Sequence, residues 1–408
     1  MADPMDIARS GQIIVAGAGI AGLTAALAFA RRGFCVEILE RSERLEEIGA
    51  GLQISPNATR ILDRLGVLEL LLPHAVRPHG VILRDAATLS ELARVPLGDS
   101  AERRWRAPYL VAHRADLQGA LLEAVSRQPT IRLITGTSVR GLGHDHSGVS
   151  VALKGSGKVE QTSGLLLIGA DGVWSTVRGL IGAGGESRFC GELAWRAVID
   201  ADSNIGRAFA SIGARDAVNA FLHPGFHLIA YPVRGGAAFN LVAFTPGQRI
   251  AEGWSGAADV LILKRAMRRT APALARLADE AGPWTAWPIH ATDPKTPWTA
   301  PGVALIGDAA HAMTPFAAQG AAMAIEDADR LAAFVAADPG HLTAALAAWE
   351  ASRRPRIAAV ARRGAFNHFA WQARGPVALA RNLVLKARPS EKLAADLDWL
   401  YGWEPAQG

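Results

Sequence analysis

The sequence predicts an α/β architecture: a Rossmann-like dinucleotide-binding domain, interleaved with an α+β part built on its own β-sheet and followed by C-terminal helices. Three observations predict it. Ile13 to Gly22 reads as strand, glycine turn and helix start, with Gly17, Gly19 and Gly22 at G-x-G-x-x-G spacing. Two later apolar strands also stop at a glycine and an acid: Leu165 to Ile168 before Gly169-Ala170-Asp171-Gly172, and Val303 to Ile306 before Gly307-Asp308. Between them, Glu192 to Ala201 and Phe226 to Phe244 read as strands of a second sheet. In open α/β sheets ligands bind beyond the carboxyl ends of the strands, so one cofactor can gather all three glycine-acid ends.

Along the chain, Met1 to Gly11 reads as a loose tail. In the glycine turn, the first glycine allows the tight bend, the second admits a pyrophosphate and the third lets helix and strand pack closely. Glu40 closes the apolar run from Cys35 to Leu39, about 20 residues on, where an acid meets a ribose hydroxyl. Arg41 to Gly51 is a charged loop ending in Gly49-Ala50-Gly51. Ser55-Pro56-Asn57 begins a helix with Ile61, Leu62, Leu65 and Leu68 on one face. Val81 to Arg84 and Leu92 to Val95 form a hairpin outside the nucleotide sheet. Ala112 to Gln118 opens a helix carrying Leu117, Leu121, Leu122 and Val125. Ile131 to Leu153 alternates and turns at His144 to Gly148. His144 and His146 belong there to a solvated turn, because no third metal ligand stands near. Gly235-Gly236 makes a hairpin turn, Ala257 to Ala281 is helical, and Ala321 to Arg381 is helix-rich. Residues 1–76, 101–182 and 291–340 fall to the dinucleotide part, 77–100 and 183–290 to the second part, and 341–408 to a helical C-terminal region.

Of 408 residues, half are hydrophobic and a fifth charged, which supports a large core. The net charge of +5 is spread along the chain without a basic run, which argues against nucleic-acid binding. Cys35 and Cys190 form no short-spaced pair, so neither a disulfide scaffold nor a zinc ribbon is expected. Cys35 is expected in the core, and a reducing cytoplasm fits. Gly11 to Ala30 holds no charged residue and imitates a signal or a membrane span. The fingerprint glycines favour a buried strand-turn-helix, and no membrane association is expected.

Three motifs carry a resemblance. They are the glycine fingerprint ending in Glu40, the run Gly169-Ala170-Asp171-Gly172-Val173-Trp174-Ser175-Thr176-Val177-Arg178, and Gly307-Asp308-Ala309-Ala310-His311 with Pro315 and Gln319-Gly320-Ala321. In this order they resemble the motifs of the single-component, group A FAD-dependent aromatic monooxygenases, built like p-hydroxybenzoate hydroxylase. Gly49 to Gln53, His227 to Pro232 and Asp398 to Tyr401 are similar to the salicylate and 3-hydroxybenzoate hydroxylases of that family. Pro315 stands where 3-hydroxybenzoate members can carry a glutamine.

The resemblance implies FAD as cofactor, NADH or NADPH as electron donor, and oxygen transfer through a flavin hydroperoxide to a small aromatic, phenolic-acid substrate. It implies a monomer or homodimer. It places Gly17, Gly19, Gly22, Glu40, Arg41, Gly51, Arg114, Gln118, Asp171, Arg178, Gly307, Asp308, Gly320 and Ala321 at the cofactor. Asp308 would meet the ribityl chain, Arg114 the phosphate and ribityl region, and Asp171 and Arg178 the flavin and nicotinamide. Gly320 and Ala321 open a helix whose N-terminus would face the flavin's pyrimidine edge. Structural alternatives stand beside these roles: a helix N-cap for Asp171 or Asp308, an ion pair for Arg114 or Arg178.

Chemistry on a ring favours phenolate over phenol, and a phenol of pKa about 10 is only ~0.1 % ionised at pH 7, a deficit of ~4 kcal/mol. His227 and Tyr231 are the candidates for the group that recovers part of it. They lie four apart on a predicted strand and so share a face. The alternative is a core histidine and tyrosine satisfied by backbone. Pro315 with Phe316, Ala317 and Ala318 walls the pocket. The same fold also suits an N-heteroaromatic, polyketide or antibiotic substrate, or a flavin dehydrogenase or reductase without oxygen transfer.

Overall fold

A computed structural model describes residues 11–45, 51–145, 148–155, 159–183, 187–249 and 259–404. The tail from Met1 to Ser10, Gly49 and Ala50, His146 and Ala257 lie outside them. In chain order the elements are β1 (Gln12–Ala16), α1 (Ile20–Ala30), β2 (Cys35–Leu39), β3 (Gly51–Ile54), α2 (Pro56–Arg64), β4 (Gly80–Asp85), β5 (Glu91–Pro96), β6 (Leu110–His113), α3 (Arg114–Ser126) and β7 (Ile131–Ile134). Then come β8 (Ser138–Asp145), β9 (Gly148–Lys154), β10 (Val159–Gly164), β11 (Leu166–Gly169), α4 (Thr176–Leu180), β12 (Arg188–Asp200), β13 (Val218–His223), β14 (Phe226–Val233) and β15 (Ala238–Pro246). The last are β16 (Thr285–Ala291), β17 (Thr299–Ala300), β18 (Val303–Leu305), α5 (Asp308–His311), α6 (Gly320–Ala337), α7 (Leu342–Trp371) and α8 (Gly375–Ala387).

A six-stranded sheet runs β17-β18-β11-β1-β2-β7, parallel throughout except for β17. Ile13, Ile14 and Val15 of β1 and Leu166, Leu167 and Ile168 of β11 are fully buried. Such continuous apolar runs suit strands covered on both faces. Helix α1 is buried along most of its length and packs against α6 and α3. Because β1, β11 and β18 are parallel neighbours, their carboxyl ends share one edge. That adjacency brings Gly17, Asp171 and Asp308 together from three distant parts of the chain.

A seven-stranded sheet runs β16-β12-β15-β14-β13-β4-β5. Side chains alternate across it. Trp195, Phe221, Leu228, Phe239 and Leu241 face a core shared with the helices Leu261–Met267 and Pro272–Glu280. Ile229, Tyr231, Val242 and Phe244 face the other way and join the core of the six-stranded sheet. The second sheet therefore turns one face towards the first. Smaller sheets, β10-β9-β8 and β3-β6, complete the described strands.

The hairpin β4–β5 lies in the second sheet, as its short connection implies. Several local expectations differ. Helix α2 stops at Arg64 because Gly66 takes φ +72°, and Leu68 falls in a separate turn of helix. Residues 110–113 pair as β6 before α3 begins. The expected long helix ending near Ala281 is two helices, the second starting at Pro272, where the missing N–H costs nothing. Cys35 is exposed, since it is the first residue of β2. The helix Asn204–Ile212 and strand β13 add to the expected elements. No single helix among the described residues is long and apolar enough to cross a membrane.

Candidate cofactor and substrate site

The glycine turn is built for a close approach. Gly17 takes φ +108°, and a Cβ there would lie 2.6 Å from the Ala170 carbonyl oxygen. A Cβ on Gly22 would lie 1.9 Å from the Gly17 oxygen. A Cβ on Gly19 would meet no protein atom within 4 Å, so open room lies at the start of α1. Glu40 accepts from the Ala18 N–H at 2.8 Å and from the Ser42 N–H at 2.9 Å. The Gln118 amide donates to the Ala18 carbonyl at 3.1 Å. Glu40 and Gln118 thus hold the turn's backbone from both sides. Arg41 is exposed beside Glu40, and Arg114 opens α3, partly buried. Gly51 donates its N–H to Asn240 at 2.7 Å, and a Cβ there would lie 2.5 Å from the Tyr231 ring. Gly51, the first residue of β3, therefore lies directly against the second sheet.

The other two strand ends are tied to each other. Asp171 accepts from the Ser175 hydroxyl and from the Thr176 and Val177 N–H groups, so it caps α4. Arg178 is buried and donates to the carbonyls of Ala309, at 2.9 Å, and Val173, at 2.7 Å. Gly307 takes φ +57°. Asp308 after it is exposed and has no partner among the described residues, leaving its carboxylate at the strand end for a ligand. At the start of α6, Gly320 is exposed with nothing within 4 Å of a Cβ, and Ala321 follows, partly buried. The preceding Gln319 is buried and bonds Ser55 at 2.9 Å. No side chain among the described residues caps the N–H groups of that first turn.

Beneath this edge lies a buried ionic network that the sequence did not disclose. Asn57 donates to Glu326 at 2.7 Å. Arg353 donates to Glu326 and to Asp327, each at 2.8 Å. Arg356 adds a bond to Glu326 at 2.8 Å and reaches the carbonyls of Trp399 and Leu400. Asp327 also pairs with His311 at 2.5 Å and accepts from the Gly307 N–H at 3.1 Å. Burial pushes the Asp327 carboxyl up, but His311 and Arg353 outweigh it and hold it down to about 2. The network fixes both Gly307 and the start of α6.

On the facing sheet, His227 and Tyr231 are buried on one side of β14, opposite Phe244 and Asn240 respectively. Phe244 stacks on the His227 ring at 4.6 Å, while Phe316 and Trp371 meet it edge-on at 5.5 and 5.3 Å. Phe316 follows Pro315 in a short 3-10 turn and sets its ring beside His227 and Phe244. His227 Nδ1 contacts the Gln372 amide, whereas Nε2 is buried with no hydrogen-bond partner among the described residues. Burial, and then nearby His368, push His227 down to about 3. Burial pushes the Tyr231 hydroxyl up, against the pull of Arg196. Both groups are neutral around pH 7. Gln372, His368 and Glu192 were missed because nothing in their local sequence marks them.

An elongated anion with sugar hydroxyls fits these residues: open room at Gly19, an unengaged carboxylate at Asp308 and a bare helix start at Gly320. A family profile described as FAD binding domain matches residues 10–364. The 3-hydroxybenzoate 6-hydroxylase of Polaromonas naphthalenivorans (strain CJ2) is 34% identical over 394 residues, covering 96% of each chain. The chain belongs to the p-hydroxybenzoate-hydroxylase-type family of FAD-dependent aromatic monooxygenases. A 3-hydroxybenzoate 6-hydroxylase of Klebsiella oxytoca is 32% identical over 98% of each chain. Among solved structures, Klebsiella pneumoniae HpxO complexed with FAD and uric acid superposes with a TM-score of 0.80 at 24% identity, over 95% of each chain. A salicylate hydroxylase substrate complex gives 0.79 at 23% identity, over 97% of this chain and 96% of the other. As a member of this family the protein is an FAD-dependent aromatic hydroxylase that uses NAD(P)H as electron donor.

Proposed function

We propose that this hydroxylase acts on a small phenolic acid, a hydroxybenzoate, held between the His227–Tyr231 face of β14 and the Pro315–Phe316 turn. The observation that carries the reading is the His227 ring boxed by Phe244, Phe316 and Trp371, with a buried Nε2 that has no partner among the described residues. An aromatic ring fits such walls, and a polar atom of the ligand answers Nε2. Two of the relatives are named for 3-hydroxybenzoate. Arg196, beside Tyr231, lies near Arg114 with no carboxylate among its electrostatic neighbours, and burial pulls it down to about 10. It supplies the cation for the substrate's carboxylate.

FAD, when bound and reduced by NADH or NADPH, would supply the activation of O2, of which one oxygen atom passes to the ring and the other leaves as water. The chain's part is to bind, orient and exclude water. Gly17, Gly19, Gly22 and Glu40 hold the dinucleotide end, with Arg41, Gln118 and Gly51 around it. Asp308 takes sugar hydroxyls, Arg114 takes phosphate, and Asp171 and Arg178 keep the neighbouring strand end in place. Gly320 and Ala321 offer N–H groups to the ring end of the cofactor. His227 and Tyr231 meet the substrate's oxygen, and Pro315 sets the wall opposite. On this reading residues 1–76, 101–182 and 291–340 hold FAD, 77–100 and 183–290 hold the substrate, and 341–408 form the helical C-terminal region. The free cysteines Cys35 and Cys190 suit a reducing cytoplasm, and the protein acts as a monomer or homodimer.

The test is a screen of the FAD-loaded enzyme with hydroxybenzoates and hydroxypyridines for stimulated NADH and NADPH oxidation, with the products identified. A hydroxybenzoate that is hydroxylated with stimulation is the expected result. Turnover confined to hydroxypyridines or larger rings, or oxidation without oxygen incorporation, overturns the reading.

A further inference from the structure

A chain of polar contacts leads away from His227, and its donors and acceptors can be assigned. Gln372, the residue that ends α7, places its amide Nε2 3.2 Å from Glu192 Oε1 and 3.3 Å from His227 Nδ1. Glu192 Oε1 also meets His368 Nε2 at 2.7 Å. His368 in turn stacks on Phe316, at 4.5 Å and 18°. A carboxylate oxygen only accepts, so the end of Gln372 that faces Glu192 is its NH2 group. That group carries two hydrogens, and the second reaches His227 Nδ1. Nδ1 is then the lone-pair nitrogen. A neutral imidazole holds one N–H, which leaves the proton on Nε2. The phenyl rings of Phe244 and Phe316 offer no hydrogen-bonding atom to either nitrogen, and Trp371, whose indole N–H is a donor, makes no hydrogen bond to His227 among the described residues.

We propose that Gln372 is a positioning residue that fixes His227 as its Nε2–H tautomer, so that His227 donates to the substrate's phenolic oxygen and selects its anion instead of removing its proton. Glu192 and His368 orient Gln372, and Phe316 ties the same chain to the wall of the pocket. The inference rests on the reading that a phenolic acid occupies this space. Its physical content is that a preorganised donor aimed at an oxygen favours the charged form of that oxygen. A hydrogen bond to a charged group corresponds to about ten- to a hundredfold in affinity.

Gln372→Glu tests it most sharply. A carboxylate beside Nδ1 draws the proton there and turns Nε2 into an acceptor. Gln372→Met, which only removes the restraint, serves where the charged variant does not fold. The FAD-loaded, substrate-free proteins are labelled with 15N-histidine, and the protonated nitrogen of His227 is read by long-range 1H–15N correlation. 3-Hydroxybenzoate binding is read separately from the flavin absorbance change. Expected are Nε2–H in the wild type, Nδ1–H in Gln372→Glu, and at least about tenfold weaker 3-hydroxybenzoate binding in both variants. His227→Gln, whose amide nitrogen reaches the Nε2 position, is expected to bind the probe at least about tenfold better than His227→Asn, whose amide does not. Nδ1–H in the wild type, or an unchanged tautomer and affinity in both Gln372 variants, overturns the proposal. Should the wild type fail to bind 3-hydroxybenzoate, the substrate reading falls, and the tautomer measurement alone decides the role of Gln372.

Discussion

Arg353 donates its Nε–H to Asp327 at 2.8 Å, with the two side chains 1% and 0% exposed. The same guanidinium holds Glu326, the preceding residue of α6. Removing it leaves two buried carboxylates short of their cation. Breaking a buried pair in this way costs about 3–5 kcal/mol. Arg353→Met is expected to lower the urea midpoint accordingly and to cut FAD retention, since Asp327 also fixes Gly307. A loss below about 1 kcal/mol would remove the network from the account of stability.

The glycine turn separates folding from cofactor binding. Gly22→Ala drives a Cβ to 1.9 Å from the Gly17 oxygen, so both apo stability and FAD content should drop. Gly19→Ala meets no protein atom within 4 Å. Its apo melting temperature should stay within about 2 °C of wild type, while FAD affinity falls at least about tenfold because the methyl fills the phosphate's space. Equal FAD affinity in Gly19→Ala would place the pyrophosphate elsewhere.

His227 makes stability depend on acid. Its folded pKa of about 3 lies below the ordinary histidine value of about 6.5, so the unfolded state binds the proton first. Stability from this group is complete above about pH 6.5 and is lost as the pH falls towards 3. Between pH 7.5 and 5.5 the loss is about 1.4 kcal/mol. Urea melts of wild type and His227→Gln at the two pH values should differ by that amount, with the wild type the more acid-sensitive. Parallel losses would show that His227 titrates alike in both states.

Gly320 opens a helix whose N-terminus favours negative charge by about 0.3–1 kcal/mol when exposed and up to ~2 when partly buried. Gly320→Glu puts a carboxylate in that position. Its bound FAD should show a lower reduction potential. An unchanged potential in a folded, FAD-loaded variant would mean that the start of α6 does not face the flavin ring.

Arg196→Met is expected to raise KM for carboxylate-bearing phenols by about tenfold or more and to leave phenols lacking a carboxylate nearly unaffected. A uniform effect on both kinds of substrate would assign Arg196 to the cofactor side.

What could be read from the sequence was what is encoded locally. Gly17, Gly19 and Gly22 announce a turn because their spacing is itself the structural requirement, and Gly307-Asp308 is legible for the same reason. Period-two alternation put His227 and Tyr231 on one face. The partners of His227 were not legible, because Glu192 lies 180 residues from Gln372 and each looks like an ordinary polar residue in its own element. The same holds for Asn57 and Glu326, 269 residues apart. Cys35 was misplaced because composition describes the strand, whereas exposure depends on where the strand begins.

The parallel pairing of β11 with β18 joins Leu167–Gly169 to Val303–Leu305. During synthesis, β1, β2, β7 and β11 leave the ribosome long before β18 exists, with β12 to β16 of the second sheet translated in between. Until then β11 presents an open, wholly apolar edge, the kind of surface that chaperones shield in a nascent chain. Asp308 enters the groove only with that late strand. The groove is therefore complete only once Asp308 has been translated, and a stop between β11 and Val303 yields a fragment with the glycine turn but without that carboxylate.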